Sequence, residues 1–150
     1  MRIKLLLLFA ALLFALPVAR AATTCTFTNV GTTMTLDADC TTDATILVPN
    51  NFTLEGAWFT ITAEDPAGGH FLGAVVKSGG AVANVQFLTI TTNSLIDSCD
   101  DGENRLRGIL FDGAAGEILG NTVSNINQGM SGCQEGNAIE VRNAPFTIEG

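Results

Sequence analysis

The chain has 150 residues, with seven Lys and Arg against fifteen Asp and Glu, one His, one Trp and no Tyr. That length suits one domain at most, and a charged fraction of only 15% argues against a charged disordered tail or a coiled coil. The net charge of −8 repels polyanions, which argues against nucleic acid as a partner.

Residues 1–21 read as a secretory signal. Arg2 and Lys4 form the basic start, Leu5 to Leu16 an apolar run too short to span a bilayer, and Pro17 breaks the helix before the small-x-small site Ala19-Arg20-Ala21. Cleavage there leaves 22–150 as the folded domain, with four cations against fifteen acids, a net charge of −11. No second apolar run would hold it in a membrane. Cys25, Cys40, Cys99 and Cys133 all lie in this exported part, an even number without CxxC spacing, which favours disulfides over metal ligation.

From Thr26 onward, short apolar or β-branched runs alternate with Gly, Asn, Asp and Pro, the pattern of an all-β chain. Phe52-Thr53-Leu54-Glu55-Gly56 returns as Phe146-Thr147-Ile148-Glu149-Gly150, with Gly116-Glu117-Ile118-Leu119-Gly120 as a looser copy. Ile109-Leu110-Phe111 and Ile139-Glu140-Val141 keep the same offset of 30 as the last two of these copies, so they share one structural unit. Three apolar series follow: Phe27, Leu54, Val82, Ile118, Ile148; Met34, Ile61, Ile90, Ile126; and Leu47, Val76, Phe111, Val141. Their steps lengthen and shorten together, as stacked coils require and independent strands do not. The expectation is a parallel β-helix of about four coils with three strands per coil.

The extra residues fall at 93–105 and 128–137, both after the second strand of a coil and before the third, so the two loops emerge on one edge. Each carries one cysteine, which favours Cys99–Cys133 and leaves Cys25–Cys40 to staple the first coil. The chain stops at Gly150 in mid-coil, which suggests further coils or a self-association partner at that end.

The ladders, the Gly120-Asn121 turn, Arg107-Gly108-Ile109-Leu110-Phe111-Asp112-Gly113 and Cys133-Gln134-Glu135-Gly136-Asn137-Ala138-Ile139-Glu140-Val141 resemble secreted right-handed parallel β-helix proteins of the pectin-lyase-like superfamily. The resemblance covers about 27–150 and implies the fold, an extracellular location and polysaccharide as the ligand class. The catalytic motifs it brings are not matched. Asp100-Asp101 is the one paired aspartate, His70 is flanked by Gly69 and Phe71, and there is no Arg-x-Lys. Whether the chain is an enzyme stays open, and a structural or adhesive surface protein is the rival class.

Asp97, Asp100, Asp101 and Glu103 crowd one loop and Glu135 lies in the other, so this is either a calcium site or a solvated acidic edge partly compensated by Arg105 and Arg107. Lys77, Asp112 and Arg142 fall one residue after the third series; with Glu140 they form either a charge ladder that fixes coil order or a polar groove for a glycan. Thr60-Ile61-Thr62 and Thr89-Ile90-Thr91 are expected to stack between Thr33-Met34-Thr35 and Asn125-Ile126-Asn127. Repeated Thr-x-Thr resembles the water-ordering faces of β-solenoid ice-binding proteins, but the change to Asn interrupts the array, and Thr is in any case a good outward strand residue. Asn51-Phe52-Thr53 has sequon spacing and sits where a β-turn residue is also expected.

Overall fold

The structure, a computed structural model, describes residues 23–96, 98–127 and 136–144 and the backbone of 147–149. The expected signal segment 1–21 lies outside them. Among the described residues no helix is long and apolar enough to cross a membrane. They are almost entirely β, with one short 3₁₀ turn at Gly102–Asn104.

Among the described residues, fourteen strands share three sheets. Sheet 1 holds β1 (Phe27–Val30), β2 (Thr33–Leu36), β5 (Phe52–Glu55), β8 (Val82–Gln86), β11 (Ala115–Leu119) and β14 (Thr147–Glu149). Sheet 2 holds β3 (Cys40–Thr42), β6 (Thr60–Ala63), β9 (Thr89–Thr92) and β12 (Thr122–Val123). Sheet 3 holds β4 (Ile46–Val48), β7 (Ala74–Ser78), β10 (Arg107–Asp112) and β13 (Asn137–Arg142). From β2 onward the chain visits sheets 1, 2 and 3 in turn, and every pairing is parallel except β1 with β2.

Alternation within each short strand sends one set of side chains into a shared core. Met34, Leu54, Val85 and Ile118 are aligned in sheet 1, Cys40, Ile61, Ile90 and Val123 in sheet 2, and Ile46, Val76, Ile109 and Ile139 in sheet 3; all of them belong to or pack against one apolar cluster. Full burial of a Val, Leu or Ile side chain contributes about 1.5–3 kcal/mol.

Several expected alignments hold. Ile109 lies opposite Ile139, Phe111 opposite Val141 and Ile118 opposite Ile148, so the offset of 30 is a structural repeat. Phe111 is fully buried. Others are corrected. Phe27 does not start the parallel series, because β1 folds back antiparallel on β2 and pairs it with Leu36. This hairpin places Met34 in sheet 1, where it meets Leu54, and Cys40 takes its expected place below Ile61. Val85 replaces Val82, which is 37% exposed, and Val123 replaces Ile126 above Ile90. Leu47 points outward at 58% exposure while Ile46 and Val48 point in, the reversal that a one-residue shift in a strand produces. Val76 lies opposite Ile109, two residues before Phe111.

The new sheet 2 register also changes the threonine array. Thr41, Thr62 and Thr91 form one outward column, with Ser124 following Val123 at the next level, and Thr60, Thr89 and Thr122 form another. The expected Asn interruption falls outside the column.

At the chain's beginning, the Thr24 amide donates to the Thr41 carbonyl at 2.9 Å and the Thr41 amide donates to Thr24 Oγ1 at 2.8 Å, covering the edge of β3. The Cys25–Cys40 disulfide fastens this segment, with its Cα atoms 5.0 Å apart, as expected. Cys99 is also disulfide-bonded; its expected partner Cys133 lies outside the described residues.

The long connections run from sheet 2 to sheet 3. Those of 64–73, 93–106 and 124–136 replace the three-residue link between β3 and β4. The second and third were expected; the first was not.

Candidate functional site

Among the described residues, the densest group of ionisable side chains lies on the outer side of sheet 3 and on the 93–106 connection beside it. Asp112 of β10 and Arg142 of β13 are directly paired in register, as expected. Lys77 is not level with them: it lies opposite Leu110, which in turn lies opposite Glu140. Lys77 and Glu140 thus share one row, and Asp112 and Arg142 the next.

Glu103 joins the two rows. It projects from the 3₁₀ turn, pairs with Lys77 Nζ at 3.5 Å and bonds the Arg142 guanidinium. Arg142 Nη2 also donates to Asp112 Oδ2 at 2.7 Å, and its Nη1 lies 3.6 Å from Glu140 Oε1. Asn143 Nδ2 donates to the other Asp112 oxygen at 2.7 Å.

Arg107 anchors the group from beneath, its side chain only 2% exposed. Its Nε donates to Glu140 Oε2 at 2.6 Å, its Nη1 to the Arg105 carbonyl at 2.8 Å and its Nη2 to the Gly102 carbonyl at 2.9 Å. The planar guanidinium suits this task, because its fixed fork holds a carboxylate and two loop carbonyls together. Asn137 Nδ2 adds a bond to Glu140 Oε2 at 2.8 Å.

Lys77, Arg107 and Arg142 therefore balance Glu103, Asp112 and Glu140. The Arg142 guanidinium holds the Glu103 carboxyl below the usual range, and Arg142 with Asn143 does the same for Asp112. Arg107 lowers Glu140, and Asp112 with Glu103 raises Arg142. All three carboxyls are thereby kept ionised at neutral pH. A general acid requires the opposite shift. The arrangement offers fixed charged donors and acceptors, suited to hydrogen-bonding a polar ligand.

Of the carboxylates read as either a calcium site or a solvated acidic edge, Glu103 and Asp100 have separate partners. Glu103 belongs to the sheet 3 group. Both oxygens of Asp100 approach His70 Nε2, at 3.0 and 3.2 Å, and Ser98 Oγ donates to Asp100 Oδ2 at 2.6 Å. Asp101 is exposed, and Asp97 and Glu135 lie outside the described residues. Among the described residues no three or more His, Cys, Asp or Glu side chains come together as a metal site.

The His70–Asp100 contact ties the 64–73 connection to the 93–106 connection. Asp65 adds a second tie: its Oδ1 accepts the Phe71 amide at 2.8 Å and its Oδ2 the Ile96 amide at 2.6 Å. The adjoining hollow, about 510 Å³ and lined by Pro66, Gly69, His70 and Ile96 among others, is shallow and open.

Sequence reasoning placed Lys77, Asp112, Glu140 and Arg142 on one face. It did not place Arg107 as their anchor, and it read Glu103 with the acidic loop, whereas Glu103 pairs with Lys77 and Arg142. A signal for Arg107 was present: it starts the same strand that carries Asp112, one repeat before Asn137.

Comparison with protein-family models, with curated proteins and with solved structures finds no match.

Proposed function

We propose that this chain is a secreted right-handed parallel β-helix of the pectin-lyase-like kind that binds extracellular polysaccharide on the outer side of sheet 3. The cyclic visit to three parallel sheets supports the fold, and the disulfide-bonded Cys25 and Cys40 suit an oxidising compartment. The observation that carries the functional reading is the pair of partly exposed rows, Lys77 with Glu140 and Asp112 with Arg142, fixed by Glu103 and Arg107. Sugar hydroxyls both donate and accept, and a rigid array containing both guanidinium and carboxylate groups meets both needs. Downward carboxyl shifts favour binding over acid–base catalysis.

A glycan array run beside a uronic-acid release assay tests this. Binding without release is expected, with Arg142→Gln weakening it about tenfold, or about 1.4 kcal/mol. The complete mutual pairing of the six charges favours a second reading, a structural or adhesive surface protein whose ion pairs hold sheet 3 in register. Absence of binding and turnover on every glycan would select it.

A further inference from the structure

A different part of the surface displays aromatic rings at the corner where sheet 1 passes to sheet 2. Trp58, the only Trp of the chain, is 70% exposed. Its ring centroid lies 5.0 Å from that of Phe87, with the planes tilted by 39°. Trp58, Phe87 and Gly120 occupy equivalent places in successive circuits, each two residues before the leading threonine of a sheet 2 strand. A Cβ at Gly120 would lie 2.8 Å from the Phe87 ring, so glycine leaves room for that ring.

The backbone here is unusual for such bulky residues. Ala57, Trp58 and Phe87 have φ of 51°, 67° and 50°, in the left-handed region where Gly or Asn would sit without strain. Neighbouring circuits hold the corner: the Gly56 amide donates to the Gln86 carbonyl at 2.8 Å and the Trp58 amide to the Phe87 carbonyl at 2.7 Å. A strained corner presenting a large amphipathic ring to water points to what that ring meets outside.

Beside it run the hydroxyl columns Thr60, Thr89, Thr122 and Thr41, Thr62, Thr91, Ser124, none of them ionisable. The carboxylate nearest in sequence, Glu55, accepts from the Ala57 amide at 3.0 Å and from Gln86 Nε2 at 2.6 Å, and its negative charge disfavours an anionic ligand. We infer that Trp58 and Phe87 form a stacking platform for neutral pyranose units of a polysaccharide, whose hydroxyls bond the threonine columns. A pyranose has an apolar C–H face for the rings and a hydroxyl perimeter for Thr Oγ1. This platform lies apart from the sheet 3 residues and rests on the reading of the protein as a polysaccharide binder.

Because Trp58 is the sole indole, its fluorescence reports this site alone. The intact protein is titrated with cellohexaose, xylohexaose and mannohexaose, with hexagalacturonate as the charged comparator, by tryptophan emission and by calorimetry. A saturable emission change with at least one neutral hexasaccharide is expected. Trp58→Asn, which suits the left-handed backbone, should lose at least tenfold in affinity with an unchanged melting temperature, and Trp58→Phe should retain most of it. Undiminished calorimetric affinity in Trp58→Asn, or an emission change with hexagalacturonate alone, overturns the platform. If Arg142→Gln abolishes glycan binding while Trp58→Asn does not, the platform falls and the sheet 3 reading stands; if no glycan binds, both fall.

Discussion

Replacing Arg107 by Met removes the anchor of the sheet 3 group while keeping most of its side-chain volume. The change deletes hydrogen bonds to Glu140 and to the carbonyls of Gly102 and Arg105. Gly102 is exposed and Arg105 is partly so, and both carbonyls belong to a surface connection that water can reach. The loss therefore falls mainly on Glu140, 21% exposed, which keeps Asn137 and the more distant Arg142. Breaking a buried ion pair costs about 3–5 kcal/mol, and the remaining partners place this change near the lower end, about 3 kcal/mol.

The pH dependence gives an independent check. Arg107 is the first cause of the lowered pKa of Glu140. A carboxyl lowered in the folded state contributes stability above its unfolded pKa and loses it as the pH falls through the folded value. The difference between wild type and Arg107→Met should therefore be full near neutrality and shrink on acidification below the ordinary glutamate range. Urea denaturation of both proteins from neutral to acidic pH measures it. A neutral-pH difference below about 1 kcal/mol, the range of an exposed pair, or one that does not shrink in acid, would refute the anchoring role.

Phe111→Ala should cost about 3–5 kcal/mol in the same assay, whereas Leu47→Ala, at an outward position, should cost little; equal losses would contradict the sheet 3 register. Gly116→Ala should destabilise by at least about 2 kcal/mol, because Gly116 has φ of 137° and its Cβ would stand 1.7 Å from the Ala83 carbonyl oxygen. Millimolar calcium should leave the melting temperature of wild type unchanged, since Asp100 and Glu103 have other partners; a rise abolished by Asp100→Asn/Asp101→Asn would restore the acidic loop as a site.

The repeat was legible where successive circuits have equal length. Ile109 and Ile139, or Ile118 and Ile148, are separated by the same 30 residues, so simple alignment finds them. It failed at the first circuit because the β1–β2 hairpin adds a strand to sheet 1, which takes Met34 out of the sheet 2 series and leaves Cys40 as the residue below Ile61. Ile46-Leu47-Val48 is apolar at all three positions, so hydrophobicity could not tell its faces apart. Val82 and Val85 posed the same difficulty, which the small buried Ala83 did nothing to relieve. In the candidate site, strand alternation was enough to find Asp112, Glu140 and Arg142. Glu103 and Asp100 were not separable, because they are three residues apart in a connection whose path depends on contacts with Arg107 and His70.

The location of the long connections bears on how such a chain can be altered. Links between strands elsewhere from β2 onward contain two to four residues, whereas the sheet 2 to sheet 3 links after β6, β9 and β12 contain 10, 14 and 13. Adding one residue to a short link would turn the next strand over and exchange its buried and outward sets. Doubling the length of a long link costs only about 0.6 kcal/mol in closure entropy. Foreign peptides should therefore be graftable at that single edge, and length variation among descendants of this chain should accumulate there, leaving the three sheets to be inherited almost residue for residue.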